Sequence, residues 1–183
     1  MILNENVEKT VSLIIKKVLL FVTLAVLLTI PITAKTKVGF GSTIMIGPNW
    51  ATLATGGDLS GSISERLVLN LDMHLGINFT FSKKNRILLG SGVRPRFSHN
   101  ENVITEIYPL RFRACLGLFT IYGGMGIVTF GKCTVYVDNF GIGATINIGN
   151  HFAILLDVLD ISLYVSGGVA ILVNSNIGIN FYF

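Results

Sequence analysis

Six arginines, Arg66, Arg86, Arg94, Arg96, Arg111 and Arg113, fall on the polar parity of alternating stretches, and Asp72, His74 and Asp157 fall on that parity too. Guanidinium and carboxylate pair by forked, charge-assisted hydrogen bonds, and a set of them enclosed away from water has to be mutually neutralised. Pairing the flanking stretches about a turn centred near Lys84 sets Asp72 opposite Arg96 and His74 opposite Arg94. Two kinds of chemistry follow. Asp72, His74, Arg94, Arg96, Arg111, Arg113 and Asp157 can form an ion-pair and water network that fills an interior, or the arginine excess can line a narrow anion path.

Nucleophilic chemistry has a single candidate, Ser98-His99-Asn100-Glu101. In an extended hairpin tip these side chains cannot converge as a nucleophile, base and orienting acid must, and the composition is ordinary turn chemistry. The three histidines are scattered without ligand spacing, and no glycine-rich stretch has a phosphate-binding pattern. The sequence therefore predicts no enzyme, no cofactor and no metal.

The elements that must hold the arginines announce themselves by period. From Ile63 to Ser82 odd positions read Ile, Glu, Leu, Leu, Leu, Met, Leu, Ile, Phe, Phe, and even positions read Ser, Arg, Val, Asn, Asp, His, Gly, Asn, Thr, Ser. Strict alternation over this length is a β-strand with one apolar and one polar face. The pattern recurs along the chain, with predicted strands at 37–47, 61–82, 86–97, 103–115, 119–131, 134–148, 151–164 and 169–183. Tight turns near 83–85, 116–118 and 149–150 alternate with longer loops, which is an up-and-down meander of eight antiparallel strands.

Composition says what such a sheet faces. Of 183 residues 51% are hydrophobic and 13% are charged, against about 25% charged in soluble domains. The net charge of +4 is too small and too mixed in sign for a nucleic-acid footprint. Residues 1–34 read as a cleaved signal peptide: Lys9, Lys16 and Lys17, then an uncharged run from Val18 to Ile30, then Pro31-Ile32-Thr33-Ala34. Residues 35–183 would be the barrel. Its polar face is mainly Gly, Ser, Thr and Asn, which suits the narrow lumen of eight strands, leaving the apolar face for lipid. Glu65, Glu106, Asp138 and Asp160 fall in register with the apolar faces near strand ends, where an outward charge costs least. Trp50 falls in the loop after the first strand. Cys115 and Cys133 are expected not to bond, because a whole strand separates them.

Ile177, Ile179, Phe181 and Phe183 alternate up to a terminal aromatic carboxylate, a pattern that resembles the signal read by the assembly machinery of bacterial outer-membrane barrels. With the leader, the strand count and the segments Ile121-Tyr122-Gly123-Gly124-Met125-Gly126 and Phe140-Gly141-Ile142-Gly143-Ala144, the chain resembles the small OmpA/OmpX-type barrels over its whole mature length. The resemblance implies a monomeric transmembrane β-barrel of the bacterial outer membrane, with a structural or surface-interaction role and partners in lipid, the assembly machinery and an unidentified surface or host protein. A narrow channel and a lipid-directed enzyme are the alternatives. Loops shorter than is usual for adhesive members of that family weigh against adhesion.

Overall fold

The computed structural model describes residues 36–55, 67–98, 103–130, 133–165 and 168–183. The leader, Glu65, Arg66 and the His99-Asn100-Glu101 segment lie outside these. Eight strands follow one another in sequence: β1 (Lys37–Thr55), β2 (Leu67–Thr80), β3 (Asn85–Ser98), β4 (Val103–Leu116), β5 (Phe119–Phe130), β6 (Cys133–Ile148), β7 (Phe152–Val165) and β8 (Val169–Tyr182). Each pairs antiparallel with its neighbours, and β8 pairs with β1, so the all-β sheet closes into a barrel. Closure removes both free edges, and every strand then has one face toward the lumen.

The alternation sets which residues turn inward, and the turns set the register. Between β2 and β3, the Phe81 amide donates to the Asn85 carbonyl at 3.0 Å, and Asn70 stands opposite Arg96 and His74 opposite Gly92. The turn is thus centred near Lys83, not Lys84, and the expected cross-strand partners move by two residues. Gly117 (φ 67°) and Gly149 (φ 72°) supply the left-handed residue at the turns after β4 and β6, where a side chain would strain the backbone.

Two bulges correct the expected faces. In β4 the register shifts between Ile107 and Leu110, and Pro109 and Leu110 both face outward. Proline cannot donate to a ladder, and strands accommodate it at bulges. The extra residue inverts parity, so Ile104, Glu106 and Tyr108 point inward together with Arg111, Arg113 and Cys115. In β7 the shift lies between Asp157 and Asp160. Val158 and Leu159 both face outward, and Asp157 and Asp160 both face inward. Glu106 and Asp160 are therefore interior groups, contrary to the expectation from uninterrupted alternation. Asp138 does face outward, half-exposed.

A further correction concerns β1. It continues to Thr55 along β8, so Trp50 lies on a strand, with its side chain on the outer surface. Four of the five tyrosines, Tyr108, Tyr122, Tyr164 and Tyr182, are buried in the interior, and only Tyr136 stands outside. Cys115 is a free buried thiol near the turn end of β4, whereas Cys133 opens β6 at the other end. Mass spectrometry of the non-reduced protein should find no link between Cys115 and Cys133, and finding one would break the strand order from β4 to β6.

Candidate functional site

Inward glycines make room for what the barrel holds. A Cβ on Gly92 would meet the Arg111 side chain at 2.7 Å, one on Gly126 would meet the Tyr108 ring at 2.7 Å, and one on Gly178 would meet Met45 Cγ at 2.6 Å. Large side chains from one strand thus lie over bare backbone on the next. The glycine-rich runs of β5 and β6 serve this purpose: Tyr122 lies against Gly141, and Arg111 against Gly124.

Arg94 is the hub. From β3 it reaches Asp72 on β2 (Nη2 to Oδ2, 2.6 Å) and both oxygens of Asp160 on β7 (3.1 and 2.8 Å). Arg111 forks onto the same Asp72 carboxylate, with its Nη2 at 2.9 Å from Oδ2. Asp160 also accepts from the Tyr122 hydroxyl at 2.8 Å, from Asn139 Nδ2 at 2.8 Å and from Asn176 Nδ2 at 2.8 Å. Nearer the loop end, Glu106 accepts from Arg96, Tyr108 and Tyr164, and Arg96 donates onward to Asn174 (2.9 Å) and Ser162 (2.6 Å). Deeper toward the turns, Arg113 forks onto Asp157 at 2.8 Å through each nitrogen and lies 4.2 Å from the Tyr122 ring centre.

Four guanidinium groups and four carboxylates therefore close on one another, all but inaccessible. Arg86 sits apart at the turn end, donating to the Asn150 carbonyl at 2.9 Å and stacking on Tyr182 at 3.9 Å. Of the residues singled out in the sequence, Asp72, Arg94, Arg96, Arg111, Arg113 and Asp157 all lie inside. His74 lies inside as well, but opposite Gly92 and with Nε2 unpartnered among the described residues. Glu106, Asp160, Tyr108, Tyr122 and Tyr164 join the network unannounced. Pro109 was the available signal for the first of these, since a proline within a strand marks a bulge.

No family model, curated protein or solved structure matches the chain. The geometry has to speak alone. Toward the loop end the interior turns apolar, where Tyr108, Val128, Val135, Val137, Tyr164, Ala170 and Leu172 pack together with Ile104. Toward the turns Met45, Cys115 and Leu155 form a smaller cluster. Charges of both signs held between apolar layers are a structural core turned inside out. Among the described residues, no group of His, Cys, Asp and Glu side chains could hold a metal ion.

Outside, the row Ile177, Ile179, Phe181, Phe183 runs down the outer surface of β8. The Phe183 amide donates to the Phe40 carbonyl at 2.8 Å, and the Phe40 amide donates back at 3.2 Å. Phe183 thus extends the seam between β8 and β1. Phe152 packs edge-on against Phe181, with ring centres 5.4 Å apart.

Proposed function

We propose that the chain is an integral β-barrel protein of the bacterial outer membrane, delivered by a cleaved leader and serving a structural or surface-interaction role, its interior locked by the charged network. The observation that carries this reading is the distribution of charge. Between the strand ends, Asp138 is the one charged side chain on the outer face among the described residues, while charges of both signs gather within. Water would favour the reverse arrangement, and lipid favours this one.

Aromatic placement supports the same reading. On β1, Phe40 and Trp50 both stand on the outer surface, about two-thirds exposed. Ten residues at about 3.3 Å each, tilted by about 40°, span about 25 Å of barrel height, the thickness of the apolar band of outer-membrane barrels. Phe119 and Phe183 share the turn end with Phe40, and Tyr136 shares the loop end with Trp50. These rings suit the two headgroup levels. The anion-path alternative drew on an arginine excess, and the interior carboxylates Glu106 and Asp160 remove its motive.

The test is behaviour in detergent and in cells. The chain should migrate faster unheated than boiled on a denaturing gel, show β-rich circular dichroism in detergent, and fractionate with the outer membrane; a stable, detergent-free soluble fold would overturn the reading. Phe183→Ala keeps the backbone bonds to Phe40 but removes the terminal ring. If the ring is read by the assembly machinery, this variant should lower the amount of barrel in the outer membrane several-fold while detergent refolding stays near wild type. Equal loss in both assays would make Phe183 a packing residue only.

A further inference from the structure

Charge of one sign gathers at one corner of the turn end. Lys37 opens β1 opposite Thr80, and Thr80 stands opposite Arg86 across the β2–β3 hairpin. Lys83 and Lys84 form the tip of that hairpin, and both are exposed, as is Lys37. None of the three lysines makes an ion pair among the described residues. Arg86 is committed inward, to the Asn150 carbonyl and the Tyr182 ring, and adds its charge without its hydrogen bonds. No Asp or Glu lies at this rim among the described residues, and the negative group there is the Phe183 carboxylate, on the β8–β1 seam. The turns after β4 and β6, Gly117-Leu118 and Gly149-Asn150-His151, carry no lysine or arginine. The bases therefore occupy one sector of the rim and not its circumference.

The corner is held in shape. Ser82 Oγ accepts from the Lys84 and Asn85 amides at 3.3 and 3.1 Å, and the Phe81 and Ser82 amides donate to the Asn85 carbonyl. The Gly117 amide donates to the Lys84 carbonyl at 3.1 Å, bracing this turn against the one after β4. Below the lysines the outer surface is apolar across three strands. Val38, Phe79 and Ile87 form one cross-strand row, and Phe40, Ile77 and Leu89 form the next. Val38 and Phe40 are about two-thirds exposed. An apolar shelf topped by unpaired ammonium groups complements a molecule that is apolar in its body and anionic at its head.

We propose that the β1–β2–β3 corner is a headgroup site for an anionic glycerophospholipid in the leaflet at the turn end, with Lys37, Lys83 and Lys84 supplying charge to the phosphate and the rows headed by Val38 and Phe40 lying against the acyl chains. A zwitterionic headgroup presents an ammonium beside its phosphate, and the lysines repel the ammonium. An acidic protein segment in water would answer the lysines but leave the two apolar rows uncovered.

The proposal rests on the membrane-spanning reading, and one assay separates the two. The chain is folded in neutral detergent micelles, checked for heat-modifiable migration, and titrated with phosphatidylglycerol or with phosphatidylcholine of the same acyl chains, bound lipid being counted by native mass spectrometry. Wild type should take up phosphatidylglycerol at several-fold lower concentration than phosphatidylcholine, and excess glycerol phosphate should not displace it. Lys37→Gln should weaken that uptake about five-fold, and the double variant Lys83→Gln, Lys84→Gln by more, from about 1 kcal/mol for each lysine near an anionic surface. The matching Lys→Arg changes should restore the preference, and Asp138→Asn on the outer face should keep it. Equal uptake of both lipids, or folded Gln variants with the wild-type preference, would overturn the site alone. Displacement by glycerol phosphate would make it a plain phosphate site, and displacement by polyglutamate a protein-docking surface; either would overturn the lipid assignment. A chain that does not fold in micelles would overturn both readings.

Discussion

Replacing Asp160 by Ala should lower the stability of the folded barrel by about 3 to 5 kcal/mol, the cost of leaving a buried partner charge uncompensated. Asp160 is the carboxylate on which Arg94, Tyr122, Asn139 and Asn176 converge. Without it Arg94 keeps Asp72 but shares that group with Arg111, leaving two guanidiniums on one carboxylate. Asp138 is the internal control, because it is an acid on the outer surface with no ion pair among the described residues. Asp138→Ala should leave stability unchanged or raise it. The urea midpoint for refolding into detergent micelles measures both, and equal midpoints would mean that the hub is hydrated and energetically slack.

Gly141→Val should be comparably damaging, for a steric reason. A Cβ at Gly141 would run into the Tyr122 phenol on one side and the Leu159 carbonyl on the other. Overfilling a packed interior costs about 1 to 3 kcal/mol, and pushing Tyr122 aside also breaks its hydrogen bond to the charged Asp160, worth about 1.5 to 3 kcal/mol. Tyr122→Phe should show the second part alone. In the Tyr122→Ala background the valine has room, so its added cost should shrink by more than half. If the valine costs the same with and without the Tyr122 ring, the clash with the backbone of β7 is the whole effect.

The eight strands and their order were legible because alternation is a strong signal when one face meets apolar surroundings and the other a polar lumen. From Ile63 to Ser82 hardly a residue breaks the period, and the polar residues of β2 all turn inward. The charged interior was only half legible. Parity counting carries one assignment down a whole strand, and a bulge resets it in the middle. Past Pro109 the reading of β4 was right and before it wrong, which hid Glu106 and Tyr108; in β7 the error fell after Val158 and hid Asp160. The register between β2 and β3 missed by two residues, because a turn's centre follows from its hydrogen bonds, which the residues Lys83-Lys84-Asn85 do not disclose. The same shift puts Asp72 opposite Arg94 in place of Arg96, in the register that Asn70–Arg96 and Met73–Val93 hold on either side.

The seam between β1 and β8 has a consequence in time. The other neighbouring strands are consecutive in sequence, so each hairpin can form from adjacent chain, whereas β1 must wait for β8, down to the bonds between Phe40 and Phe183. Until then β1 and each newest strand are bare edges, templates for pairing with any other extended chain. Contacts this distant in sequence form slowly. The two bare edges therefore persist until β8 reaches β1, and pairing of this seam, more than formation of any hairpin, sets how long the barrel is exposed to aggregation.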